Sequence, residues 1–375
     1  MENILEEYRY SLILKHTPYL GPKSWKKLIS YFKSAKNACE NTREWKRLRI
    51  RADAIKGFLE KKWASEVEHE FFLFEKSKAQ VLVLSLDDYP YLLKEIPDPP
   101  IILYYIGNKE LLKNPCIAIV GSRKTTNYGM QIGFNIAKEL SEQSITIVSG
   151  LAMGIDTVAH KGALLSKGST IAVLGCGIDV NYPAHNYILK RNICEKGLIL
   201  SEFAPDTSPS SENFPIRNRI ISGISLGVLV VQAAQKSGSL ITAKYALEQN
   251  RLIFSIPGPL NNPMFAGNNN LIREGAILIR NAKDIIDEIS PYIKTTKLNE
   301  HSFNNMENSI ASMIESNNTL EQKILELLMK KGQADVDEIC DELEIEPSSV
   351  ISLLIQLEVS GKVKKMAQNV YSLGM

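Results

Sequence analysis

The stretch NFPIRNRIISG, residues 213–223, sets two arginines and two asparagines around a proline and then runs into apolar residues. Guanidinium groups fork onto phosphate or carboxylate oxygens, and an adjacent aromatic offers a face on which a base can stack. Phe214 and Arg217 therefore form a minimal recipe for holding a single strand. Pro215 suits the first turn of a helix, which is expected to start near Ile216 and to carry Ile220, Ile221 and Ile224 into the core. Side chains two apart on a helix point about 200° away from each other, so Arg217 and Arg219 cannot serve one small anion in the same way. One is expected to face a crevice and the other to tie the helix to its neighbour, with Asn218 between them. Glu212 is the one balancing acid nearby.

Other polar loops follow short apolar runs. VGSRKTTNYG presents Gly121, Ser122 and Arg123 between a strand and a helix, where free helix amides and Arg123 can receive an anion. The loop is not GxGxxG, so a dinucleotide cofactor is not indicated. SGLAMGIDTVAH adds Gly150 and Gly154 and places Asp156 and His160 four apart on one helical face. Such a pair can do general-base work, or it can simply orient a loop and cap a helix. QAAQKSGSLITA leads through Ser237, Gly238 and Ser239 into another helix, a further amide cradle, and GNNNLIREGA supplies Gly267, Asn268, Asn269 and Asn270.

The elements that must position these loops repeat along the middle of the chain. Runs beginning at 117, 145, 170, 198, 228, 252 and 276 are β-branched or leucine-rich, and their starts lie 24 to 30 residues apart. That is the length of a strand, a crossover helix and two loops, and continuous apolar strands point to a parallel sheet covered on both faces. The expected fold is α/β, a Rossmann-like doubly wound, mostly parallel sheet. Ligands of such sheets bind beyond the carboxyl ends of the strands, where all the loops above fall.

Upstream, PYLGPKSWKKLISYF, residues 18–32, reads as a glycine-containing turn entering a helix, with Trp25, Leu28, Ile29 and Phe32 at helical spacing. It resembles a helix-hairpin-helix or sterile-alpha-motif-like unit, in which Lys23, Lys26 and Lys27 stand near the turn. Residues 1–62 hold 15 basic against 7 acidic residues within a chain of formal net charge +2, an asymmetry compatible with a polyanionic partner or with a solvated lysine-rich face. Downstream, an Asn- and Ser-rich linker precedes three helices and a β-hairpin, the pattern of a winged helix. Its third helix lacks Lys and Arg and its second is acidic, which favours protein docking over DNA, with Lys362, Lys364 and Lys365 of the wing as the case for DNA. The expected organisation is a helical domain over 1–75, the sheet domain with its N-terminal extension over 76–290, a linker over 291–318 and the winged helix over 319–375. The N-terminus carries acids where a secretion signal is basic, and the five scattered cysteines form no CxxC pair or metal-ligand cluster. A soluble cytoplasmic protein without metal or disulfide framework is expected.

GSR at 121–123, SGLAMGID at 149–156, FPIRNRIISGIS at 214–225, KSGSLITA at 236–243 and GNNNLIREGA at 267–276 closely resemble the bacterial DNA-processing protein A (DprA/Smf) family. The match spans the sheet domain in order. The resemblance implies a non-enzymatic cytoplasmic protein that binds single-stranded DNA through its Rossmann-like domain, dimerises through that domain, and loads the RecA recombinase onto incoming strands in natural transformation. By position it makes Arg123 a principal phosphate ligand and Phe214 the stacking aromatic, with Arg217 and the 237–239 loop lining the groove. Gln232 departs from the family, which usually has an acid there. The rival is a phosphoribohydrolase on a related Rossmann fold, whose PGGxGTxxE loop carries a working glutamate. Aligning SGSLIT at 237–242 with that loop places Tyr245 where the glutamate belongs, which removes the carboxylate the reaction needs.

Overall fold

The computed structural model describes residues 2–292, 323–343, 347–359, 362–367 and 370–373. Two compact units divide it, one reaching from the N-terminus to Tyr292 and one beyond it. Most of the expected linker lies outside the described residues.

The first unit is built on a nine-stranded sheet in the order β1-β2-β6-β5-β4-β3-β7-β8-β9. Its strands are β1 Gln80–Val83, β2 Ile102–Gly107, β3 Cys116–Val120, β4 Thr146–Ser149, β5 Thr170–Leu174, β6 Leu198–Ser201, β7 Gly227–Val230, β8 Leu252–Ser255 and β9 Ile277–Leu278. Strands β3 to β9 are the seven runs expected from sequence. They pair in parallel, and β3 to β7 are buried at every position, as a sheet covered on both faces requires. β1 and β2 extend one edge in antiparallel fashion, with β2 against β6. The order reverses at β3, which pairs with β4 on one side and β7 on the other. A crevice opens at such a reversal because the flanking connections leave on opposite faces.

Helices α1 Glu2–His16, α2 Pro22–Phe32, α3 Ala35–Glu40, α4 Ala52–Leu59 and α5 Ala64–Lys76 precede the sheet. They are followed by α6 Tyr91–Glu95, α7 Asn127–Glu142, α8 Ile155–Ala163, α9 Tyr187–Lys196, α10 Asn213–Ile224, α11 Ser239–Glu248 and α12 Ala266–Arg273. Trp25, Leu28 and Ile29 of α2 are buried, as their spacing predicts. The boundary expected at 75/76 is not a break in packing: one hydrophobic core runs from Tyr8 and Trp45 through Tyr104 to the strands. Polar ties cross it too. Tyr104 donates to Glu70 Oε1 at 2.5 Å, Lys15 donates to the same oxygen at 2.5 Å, and His16 Nε2 meets Glu70 Oε2 at 2.6 Å. Burial works to raise the Glu70 pKa, but Lys15, His16 and Tyr104 overcome it and hold the carboxyl down at about 2.

The second unit has its own core, including Ile324, Leu328, Ile339, Val350, Leu354 and Tyr371. It contains helices over 323–331, Val336–Leu343 and Pro347–Val359 and a three-stranded antiparallel sheet of β10 Gln333–Asp335, β12 Val370–Leu373 and β11 Val363–Ala367, in that order. This is a winged helix whose hairpin gains a strand. The expected second helix begins one residue later than Asp335, which pairs with Val370 instead.

Candidate nucleic-acid interface

A cleft of about 700 Å3 lies beyond the carboxyl ends of β3 and β7, at the reversal of strand order. Its wall combines the 121–124 loop, the N-terminal part of α10 and the turn entering α11. Of the residues expected from sequence, Gly121, Ser122, Arg123, Phe214, Arg217, Asn218, Ser237, Gly238 and Ser239 all line it. The sequence brings them together because each follows a strand of the same parallel set.

Phe214 is the centre of the cluster. The Arg123 guanidinium carbon lies 5.3 Å from its ring centroid and that of Arg217 lies 6.0 Å away, both within cation–π reach. Tyr182 stacks on the same ring at 5.5 Å with planes 29° apart. Arg123 is exposed and its guanidinium makes no hydrogen bond among the described residues, so its donors are available to a ligand. Lys124 is exposed beside it.

Arg217 is held differently. It is only 4% exposed, and its Nη1 donates to Gly150 O at 2.7 Å and to Val173 O, while Nε donates to Asn218 Oδ1 at 3.1 Å. Burial pulls its pKa down to about 10, Asp156 opposes the fall and Arg123 adds to it, so the guanidinium stays charged at neutral pH. A Cβ at residue 150 would stand 2.5 Å from Arg217 Nη1, which is why a glycine is needed there. Gly150 is thus the floor under Arg217 and does not itself line the cleft.

The Asp156 and His160 pair orients this loop. Asp156 Oδ2 accepts from the amides of Gly150 at 3.1 Å and Ala152 at 3.3 Å, and its buried carboxyl has a raised pKa, chiefly through burial. His160 Nε2 accepts from the Leu151 amide at 3.2 Å, which leaves the proton on Nδ1 to be donated to Thr170 Oγ1 at 2.7 Å; Thr170 donates in turn to Ile147 O. Burial, reinforced by Arg217, pushes the imidazole pKa down to about 3. A fully buried, neutral ring with both nitrogens engaged has no proton to exchange with a substrate. Gly154, at φ +82°, turns the chain into α8 where the carbonyls of Ser122 and Arg123 leave no room for a Cβ.

Besides Gly150, three expected residues fall outside the cleft lining. Arg219 lies on the far side of α10, where Nη2 donates to both Glu202 oxygens at 2.5 and 2.6 Å and Nη1 donates to Asp98 O at 2.6 Å. It lines a separate cavity of about 500 Å3 with Glu202, Asp98 and Tyr245. The helical rotation between positions 217 and 219 accounts for the split. Asn268 is fully buried as a staple: its Oδ1 accepts from the Ala233 amide at 2.6 Å and its Nδ2 donates to Val230 O at 2.8 Å. Asn270 is exposed on α12, outside the cleft lining. Sequence reasoning missed Tyr182, Ser211 and Thr242, which line the cleft from longer loops or deeper helix positions; the strand-end location of the Tyr182 loop was the available signal. It also placed the start of α10 three residues late, since the helix begins at Asn213. At Gln232 the structure is instructive. Its Oε1 accepts from Thr125 Oγ1 at 2.7 Å and from Thr126 N and Oγ1 at 3.1 Å, the accepting work an acid would do at the entrance to α7.

Electrostatically the cleft is predominantly cationic. Arg123, Lys124 and Arg217 face it, the first turn of α11 opens into it beside Ser237 and Ser239, and the acid in its lining is the buried Asp156. Among the described residues no group of three or more His, Cys, Asp or Glu side chains could hold a metal. No helix among them is long and apolar enough to cross a membrane.

A Rossmann-like sheet with a cationic, aromatic-centred cleft at its topological switch places the chain among the α/β proteins whose ligand site lies at that point of the sheet. The chain belongs to the family described as DNA recombination-mediator protein A, whose model matches residues 80–290. It is 41% identical to the DNA processing protein DprA of Bacillus subtilis over 64% of this chain and 81% of that one. It is 46% identical to DprA of Streptococcus pneumoniae over 54% and 72%. Among solved structures it is similar to DNA processing protein A of Streptococcus pneumoniae, with a TM-score of 0.65 and 36% identity, covering 75% of this chain and 97% of that one. It is also similar to DNA processing protein A of Helicobacter pylori, with a TM-score of 0.52, 34% identity and coverage of 57% and 97%, a structure concerned with that protein's single-stranded DNA binding mode.

Proposed function

We propose that this protein binds single-stranded DNA in the cleft between β3 and β7, without making or breaking bonds, and presents it to the RecA recombinase during natural transformation. The observation that carries the reading is the Arg123 guanidinium poised over Phe214, with Arg217 behind it, in a cleft also lined by Lys124 and by serine and threonine residues, where the acid is the buried Asp156. Phosphates sit on Arg123, Arg217 and the α11 amides, and a base stacks at Phe214 in place of, or beyond, Tyr182. Such contacts read little sequence. Support also comes from the likeness to the Helicobacter pylori protein. The engaged, neutral His160 and the position of Tyr245 in the other cavity both speak against the phosphoribohydrolase reading.

In this reading the protein works as a cytoplasmic homodimer through its Rossmann-like domain, so two clefts act together on one or two strands. The acidic winged helix docks protein and leaves DNA to the first unit. The test is a fluorescence-anisotropy salt titration with single- and double-stranded oligonucleotides, for wild type and for Arg123→Ala with Phe214→Ala. Single-strand preference is expected to fall at least about tenfold in the double variant, with a shallower salt dependence. Unchanged binding would remove the cleft from the function.

A further inference from the structure

The N-terminal helices carry a second feature that the cleft does not use. Tyr19 projects from the turn between α1 and α2 with 64% of its surface exposed and with a left-handed backbone, φ +64°. The Arg51 guanidinium lies 5.4 Å from its ring centroid, at the entrance to α4. Pro18 packs against Gly57, which holds α4 next to this turn. Lys27 donates from α2 to Leu48 O at 2.7 Å, and this brings the 47–51 loop against the same helix. Lys23 stands one turn before Lys27 on the same face of α2. Arg51 and Lys62 thus lie near Tyr19, while Lys23 and Arg49 stand on the segments packed next to this turn, and all five are exposed.

The charge here is only partly balanced internally. Asp53 stands 3.8 Å from Arg51 and Glu60 meets Lys62 at 2.8 Å, both as solvent-exposed pairs that contribute little. Among the described residues the Lys23 ammonium and the Arg49 guanidinium make no hydrogen bond or ion pair, and Arg49, like Tyr19, is held in the left-handed region, at φ +56°. Non-glycine residues with positive φ persist only where the surroundings over-determine them, and such positions cluster at functional sites. An aromatic ring backed by a guanidinium and otherwise open to solvent, with the exposed cations Lys23 and Arg49 on the adjoining segments, suits stacked bases and their phosphates rather than the closed stack of a duplex.

We propose that the surface around Tyr19, Lys23, Arg49 and Arg51 is a second contact site for single-stranded DNA, separate from the cleft. Both sites belong to one compact unit, so a strand long enough to reach from one to the other binds with a raised effective concentration at the second.

The test uses the full chain with oligothymidylates of increasing length, in wild type, in the patch variant Lys23→Gln with Arg49→Asn and Arg51→Gln, in the cleft variant Arg123→Ala with Phe214→Ala, and in the two combined. The patch variant is expected to bind long oligonucleotides about tenfold more weakly and short ones as wild type does, with a log–log salt slope shallower by about 2, the value for three lost phosphate contacts to a single strand. The residual binding of the cleft variant is expected to vanish in the combination. On wild-type protein, photo-crosslinking with a 5-bromouracil-substituted strand is expected to label a peptide containing Tyr19, a readout that does not depend on any variant folding. A patch variant with wild-type affinity and slope at every length, or no crosslink to that peptide, overturns the proposal. A cleft variant that binds as wild type does would overturn the cleft reading instead, and the patch comparison would still stand on its own.

Discussion

The two faces of α10 carry the same residue type at nearly the same burial and put it to opposite uses. Arg217 is 4% exposed and Arg219 is 3% exposed. Arg217 bonds neutral oxygens, those of Gly150, Val173 and Asn218, so no carboxylate bonds it directly, although Asp156 nearby favours its charge. Arg219 bonds Glu202, so its charge is consumed within the protein. A buried arginine is therefore a binding group or a structural tie according to what its neighbours carry, and burial alone does not distinguish them.

The comparison can be broken most forcefully at Arg219. Arg219→Ala leaves the half-buried Glu202 without its partner and is expected to destabilise the first unit by about 3 kcal/mol, read as a lower urea midpoint, while DNA affinity per folded molecule is retained. A loss of affinity without a loss of stability would reverse the roles assigned to the two arginines.

Acid sharpens the same contrast. His160 is held neutral beneath the Arg217 loop with a pKa near 3, below the 6.5 of a free imidazole, so the unfolded chain binds the proton first. Its contribution is complete above pH 6.5 and is lost as pH falls toward 3. Glu70, held at about 2 against 4.5, adds a loss of about 3 kcal/mol between those values. Urea midpoints of wild type are expected to fall steadily below pH 6.5, and His160→Gln is expected to flatten the upper part of that slope. Equal slopes for the two proteins would clear His160 of the effect.

On the cleft side, Phe214→Ala is expected to cost about 1–3 kcal/mol of single-strand affinity with little change in melting temperature, by anisotropy and thermal unfolding together. The smallest effect belongs to Tyr182→Leu. It removes the ring that stacks on Phe214 and changes affinity by about 1 kcal/mol or less, upward if Tyr182 holds the place of a base and downward if it stacks on one.

Much of this was legible in the chain. Hydrophobic runs at regular spacing are local signals, and they located seven strands of the sheet, although β1 and β2 on the antiparallel edge were not among them. The strand-end loops were legible for the same reason: a parallel sheet carries all its carboxyl ends to one side, so Gly121, Arg123, Phe214 and Ser237 converge whatever the details. That Arg217 and Arg219 diverge followed from helix geometry.

What sequence left open was which arginine meets which partner, because that depends on contacts between segments far apart in the chain. Glu202 and Asp98 reach Arg219 from just beyond β6 and from the approach to β2, and no periodicity links them. Asn268 looked like a loop amide and became a buried staple because α12 folds back on β7. The helical segment looked like a separate domain because its own pattern is complete, yet Tyr8, Glu70 and Tyr104 join it to the sheet. Local composition determined the elements and the side of the sheet on which chemistry gathers. The tertiary structure decided which charges remain free there, since a charge is neutralised by whatever lies within a few ångströms, not by what lies near in sequence.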